Sequence, residues 1–173
     1  SAKTAKNQDA VGLNLIQLGE LRGKDPYNAT FDLLYEEDNA VGMVDFYGTE
    51  EHVIKFLCRP EQNVCTDGLM GAGKPHPRVF GAFPRVLGKY VREENCLSWE
   101  AAIRKMTGKP AEVMSLKDRG LIKVGYAADI VMFNPETIMD KGTFLEPNQY
   151  PEGTDIVMVN GRLASINGIE SYA

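Results

Sequence analysis

Between Asp25 and Thr66 the chain alternates helical and extended patterns, and this alternation constrains its fold more than any other feature. Asp25-Pro26 predicts a helix start: Asp accepts the free N–H groups of a first turn, and Pro is tolerated at the first helical position. Tyr27, Phe31 and Leu34 follow at i, i+4 and i+7 and mark one helical face. Glu36-Glu37-Asp38-Asn39 closes the helix in a polar turn. Ala40–Tyr47 is a nearly continuous apolar run of strand length, suited to a parallel sheet buried on both faces. Thr49 caps a second helix, with Glu50 and Glu51 in its positive first turn and Val53, Phe56 and Leu57 as its apolar face. Asn63–Thr66 predicts a second short strand. Helix, strand, helix, strand is the grammar of a parallel α/β sheet. Ahead of it, Leu13, Ile16 and Leu21 fit only a short, ragged helix.

From Leu69 to Arg78 three glycines and two prolines predict a loop. Phe83, Val86, Leu87, Tyr90 and Val91 mark an amphipathic helix. Ser98 caps the next, which carries Trp99, Ala102, Ile103 and Met106, and Pro110 opens a further helical turn. Beyond Lys117 the grammar changes. Leu121–Val124, Ala128–Phe133 and Ile156–Val159 are short β runs, and Asn160-Gly161 before Arg162 is a two-residue hairpin signal. The expectation is an α/β part over residues 1–116 and a small antiparallel β part over 117–173. Two parallel strands are too few to cover both faces of a sheet, so the chain reads as a piece of something longer.

Composition excludes several classes. With 43% hydrophobic residues and a net charge of −5 over 173 residues, the chain can bury a core and is not intrinsically disordered. No apolar run approaches the ~20 residues of a membrane span. The acidic balance argues against a general nucleic-acid binder. Cys58, Cys65 and Cys96 are odd in number and form no CxxC, so they read as reduced thiols of a cytoplasmic protein. With two histidines, His52 and His76, a self-contained site of several His ligands is impossible.

The most informative stretch is Thr66-Asp67-Gly68 followed by Lys74-Pro75-His76-Pro77-Arg78. Asp67 stands at the carboxyl end of an expected strand, where ligands bind in α/β folds; the plainer reading is the Asp of an Asp-Gly turn. His76 lies between two prolines that hold the backbone extended, which suits placing a side chain over a site, though an exposed loop histidine fits as well. Arg78 offers a planar fork for a carboxylate, or a surface ion pair. The remaining candidates are weaker. His52 falls in a helix first turn, Cys65 alternates with Val64 and reads as core, and Cys58 and Cys96 carry no motif. Gly71-Ala72-Gly73-Lys74 lacks the full phosphate-loop pattern. Asp45 sits inside the first expected strand.

Several stretches together resemble the N-acyl-D-amino-acid deacylases (D-aminoacylases) of the amidohydrolase superfamily, in their C-terminal region. They are Arg22-Gly23-Lys24-Asp25-Pro26-Tyr27, Val41-Gly42-Met43, Thr66-Asp67-Gly68 and His76-Pro77-Arg78 with its continuation through Glu93. Ser98–Ala111, Asp118–Ile122, Gly125–Val131 and Pro147-Asn148-Gln149-Tyr150-Pro151-Glu152-Gly153 extend the likeness. The resemblance implies an α/β fold: the last strands and helices of a metal-dependent (β/α)8 barrel over residues 1–116, then strands of a flanking β-sandwich over 117–173. It implies zinc as cofactor of the complete enzyme and a small-molecule N-acyl-D-amino acid as substrate. Asp67 matches the family's metal-proximal aspartate, which moves a proton from the attacking water to the leaving amine. Arg78, with His76 beside it, matches the clamp on the substrate carboxylate. The family's metal-binding histidines and cysteine fall outside this sequence, so the expected fragment is inactive alone and self-associates through its broken barrel. Alternatives are another amidohydrolase, dihydroorotase- or dipeptidase-like, or a catalytically dead assembly module.

Overall fold

A computed structural model describes residues 1–70 and 74–171. They form two compact units, Ser1–Asp45 with Met70, Lys74 and Pro75, and Phe46–Leu69 with residues 76–171. Gly71–Gly73, the centre of the glycine-rich loop, lies outside the described residues. Among those described, no helix is long and apolar enough to cross a membrane.

The first unit is a helical hairpin preceded by a 3-10 turn over Ala5–Ala10. Helix α1 spans Leu15–Arg22 and α2 spans Pro26–Glu36. Local chemistry starts both. Asn14 and Gln17 exchange the two bonds of a capping box, at 2.9 and 3.0 Å. The Asp25 carboxylate accepts the N–H groups of Tyr27 and Asn28, each at 3.1 Å, as the sequence predicts. The buried face differs from expectation. Leu18, Ala29 and Leu33 form the small core, whereas Tyr27 and Phe31 are 79% and 67% exposed. The helices join at small residues: a Cβ on Gly19 would lie 2.8 Å from the Lys24 carbonyl oxygen. Close approach there selects the Ala29 face over the aromatic one.

Glu37, in the polar turn that closes α2, is 1% exposed. Its carboxylate accepts the backbone N–H groups of Lys3 and Thr4 at 2.6 and 2.8 Å, the Thr4 hydroxyl, and Asn7 Nδ2 at 2.7 Å. These bonds, those from Thr4 and Asn7 foremost, hold its pKa at about 2 and strap the first residues of the chain to the end of α2.

In the second unit, α3 spans Glu50–Leu57 and is capped by Thr49. Helix α4, Arg78–Arg85, continues into a π-helix over Val86–Glu93, where the sequence predicts one regular helix. Pro84 has no N–H and its ring crowds the carbonyl four residues back, so regular i→i−4 bonding fails at this point. Helix α5 spans Trp99–Met106 from its Ser98 cap, and α6 spans Gly108–Val113. The core gathers Leu57, Val86, Leu87, Tyr90, Val91, Ala102 and Ile138, with Val64, Trp99, Ile103 and Met106 packed around it.

The strands form an antiparallel meander, β1 (Ile130–Phe133), β2 (Thr154–Val159), β3 (Arg162–Ile166) and β4 (Ile169–Glu170). Val159 pairs with Arg162 across Asn160 and Gly161, whose φ angles of 49° and 76° make the expected two-residue turn. Three expected strands are absent: Ala40–Tyr47, Asn63–Thr66 and Leu121–Val124 run without regular structure. A strand exists only by its ladder. Gly42 N–H instead meets the Ser1 carbonyl at 3.0 Å, and Val64 N–H meets the Lys105 carbonyl at 3.1 Å.

Candidate active site

Asp67 and Arg78 meet because a tight turn is pressed onto the first turn of α4. The Thr66 hydroxyl accepts the Gly68 N–H at 3.2 Å, which closes a turn around Asp67, and Asp67 adopts a left-handed φ of 44°. Gly68 permits the approach, since a Cβ there would lie 3.1 Å from Val79 Cγ2. Arg78 then grips Asp67 twice: Nη2 lies 2.7 Å from the Oδ2 atom, and Nε donates to the backbone carbonyl at 3.0 Å. The Asp67 side chain is 77% exposed and that of Arg78 is 40% exposed. An ion pair so open to water contributes about 0–1 kcal/mol.

His76 lies beside this pair through the backbone. Its Nδ1 accepts the Arg78 N–H at 3.0 Å, satisfying a free donor at the start of α4, where Pro77 has no side-chain group to offer. An accepting Nδ1 places the ring proton on Nε2. Partial burial, reinforced by the Arg78 cation, holds the imidazole below its usual range, so the ring is neutral near pH 7. Phe144 packs edge-on against it with centroids 5.1 Å apart, and Phe46 packs edge-on against Phe144 at the same distance. The sequence reading missed Phe144. It lies 68 residues beyond His76, and no local pattern signals that contact.

The other candidates fall elsewhere. His52 is exposed in the first turn of α3, and Asp45 is exposed in a segment that forms no strand. Cys65, expected in the core, is exposed; Val64 is the member of that pair packed against the core. The expected strand does not form there, and the side chain turned inward is Val64. Among the described residues, no group of three or more His, Cys, Asp or Glu side chains is arranged to hold a metal ion. A catalytic zinc takes three protein ligands and a water. The residues present do not fit such a site, and Asp67 is at most one of its ligands.

The model of one protein family, described as the amidohydrolase family, matches residues 57–164. The chain belongs to the amidohydrolase family. It is 48% identical over 117 residues to an N-acyl-D-glutamate deacylase of Alcaligenes xylosoxydans xylosoxydans, a match covering 67% of this chain and 24% of that one. A crystal structure of D-aminoacylase superposes with a TM-score of 0.87 at 33% identity, covering 97% of this chain and 34% of the other. The N-acyl-D-glutamate deacylase of Bordetella bronchiseptica, solved with zinc and a phosphonate inhibitor that mimics the tetrahedral intermediate, gives 0.85 at 32% identity. That match covers 96% of this chain and 35% of the other. Helices followed by a small antiparallel sheet are thus a part of the α/β amidohydrolase fold, and the chain spans about a third or less of each of these relatives.

Proposed function

We propose that this chain is the C-terminal part of a hydrolase that deacylates N-acyl-D-amino acids, in which Asp67 moves the proton and Arg78 holds the substrate carboxylate. The observation that carries the reading is the 2.7 Å contact between the Arg78 fork and the Asp67 carboxylate. It puts a carboxylate-binding group and a proton carrier side by side, and the similarity to N-acyl-D-amino-acid deacylases supports both roles. The contact is weak enough to open. A substrate carboxylate offers the guanidinium two oxygens in place of Asp67 Oδ2 and the Asp67 backbone carbonyl, so it exchanges for Asp67 at little cost. Arg78 then orients the amide through the carboxylate, and the released Asp67 accepts a proton from the attacking water and returns it to the leaving amine. Neutral His76 keeps α4 started at Arg78, with its Nε2–H free of this helix-starting bond.

In this reading the 173-residue chain alone turns nothing over, a view supported by the lack of a fitting metal site among the described residues. The complete enzyme works in the cytoplasm on a small molecule. Steady-state kinetics of that enzyme test the two roles. Asp67→Asn lowers kcat by ~10²–10⁴-fold while substrate still binds. Arg78→Lys keeps the charge and loses the fork, so it mainly raises KM, with a smaller loss in kcat. A near-normal kcat in Asp67→Asn, or an unchanged KM in Arg78→Lys, rules out the corresponding assignment.

A further inference from the structure

Two of the three cysteines come together through a thiol-to-carbonyl bond. Cys58 ends α3, and Cys96 follows the π-helix 38 residues later. The Cys58 thiol donates to the Cys96 backbone carbonyl at 3.3 Å. Both backbones are anchored. Cys58 N–H bonds the Ile54 carbonyl at 2.9 Å, directly after buried Leu57, and Cys96 N–H bonds the Tyr90 carbonyl at 2.7 Å. The Cys96 side chain packs against the same core cluster that holds Leu57. Its Sγ faces the Glu94 carboxylate at 3.7 Å, so joining the sulfurs calls for rotating that side chain away from Glu94.

We propose that Cys58 and Cys96 form a thiol–disulfide exchange site, which a small-molecule disulfide such as oxidised glutathione converts into an intramolecular bridge. The exposed Cys58 reacts first. It gives its proton to hydroxide of the mildly alkaline buffer, and its thiolate attacks one sulfur of the small disulfide, whose S–S bond breaks and releases one thiolate that takes a proton from water. Cys96, its thiol pushed up by burial and by Glu94, stays protonated until this stage. Turned away from Glu94, it gives its proton to hydroxide of the mildly alkaline buffer and attacks Cys58 Sγ, and the mixed S–S bond breaks to release a second small thiolate that takes a proton from water. Two protein thiols are oxidised to one disulfide, and one small disulfide is reduced to two thiols. The bridge ties the end of α3 to the exit of the π-helix, across the core both elements share.

The test uses the reduced 173-residue chain, oxidised glutathione in mildly alkaline buffer, an acid quench, thiol counting under denaturing conditions, intact mass and peptide mapping. Peptide mapping of the wild type joins Cys58 to Cys96. In Cys65→Ser, which removes the other exposed thiol, two thiols fall to none and the mass drops by about 2 Da, as loss of two hydrogens requires. Cys65→Ser with Cys96→Ser stops with glutathione attached to Cys58. Two surviving thiols in Cys65→Ser, a Cys65→Ser product that halts at the mixed disulfide, a wild-type bridge involving Cys65, or disulfide-linked dimers would each overturn the proposal.

Discussion

Lys105→Met should loosen the segment that carries Asp67. Lys105 is 5% exposed, and its ammonium donates to the carbonyls of Arg59 and Gln62, the latter at 3.1 Å. Its own carbonyl accepts the Val64 N–H at 3.1 Å. One residue on α5 thereby pins the turn leading into Asn63–Asp67, its side chain holding Arg59 and Gln62 and its backbone holding Val64. Methionine keeps the length and apolar stem and removes the donors. Two hydrogen bonds from a charged group contribute about 1.5–3 kcal/mol each. Against that, the variant no longer has to strip water from a buried ammonium, a cost of several kcal/mol. The net loss is about 1–3 kcal/mol. With a urea slope of about 2 kcal/mol per molar, the unfolding midpoint should fall by about 0.5–1.5 M. There is also a pH signature. Burial, with help from the Lys109 charge, lowers the Lys105 pKa below 10.5. The folded state therefore binds this proton less readily than the unfolded one, so the contribution grows as pH rises from the lowered value towards 10.5. The gap between wild type and variant should widen over that window. An unchanged midpoint, or a gap that narrows as pH rises, would show that Lys105 does not hold this turn.

Two other perturbations probe the rest of the molecule. Glu37, held at about 2 in the fold against an ordinary 4.5, stabilises the first unit above pH 4.5 and loses that contribution as pH falls towards 2; wild type should lose more stability over this range than Glu37→Gln in circular-dichroism acid titrations, and parallel curves would discount the strap. The chain should also self-associate, because Met43, Phe46 and Tyr47 are 84%, 75% and 91% exposed along the segment expected to be a strand. Light scattering over a dilution series should show a dimer or larger, and a monomer at high concentration would contradict this.

What could be read from the sequence is what neighbours in the chain decide. Asp25, Thr49 and Ser98 each bond the first turn of their own helix, and Asn160-Gly161 makes its own turn, so all four were legible. What distant residues decide was not. Ala40–Tyr47 has the composition of a buried strand, but no ladder partner lies beside it among the described residues. The α2 face followed the closeness that Gly19 allows rather than the bulk of Tyr27 and Phe31. Glu37 looked like one of four polar turn residues; only the return of Lys3, Thr4 and Asn7 to it in space makes it a buried anchor. In the site, Asp67, His76 and Arg78 were legible as a cluster because twelve positions hold all three. Phe144 arrives from the β part and gave no such sign.

Stereospecific hydrolysis by the complete protein that contains this chain decides whether Asp67 serves a D-amino-acid deacylase. Purified with zinc, it should release free amino acid from N-acetyl-D-amino acids and leave the L enantiomers intact, as followed by chiral chromatography. Asp67→Asn should abolish most of that release without unfolding the protein. Hydrolysis of dihydroorotate with none of N-acetyl-D-amino acids would rule out the deacylase, and D-substrate turnover that Asp67→Asn leaves intact would rule out Asp67 as its proton carrier.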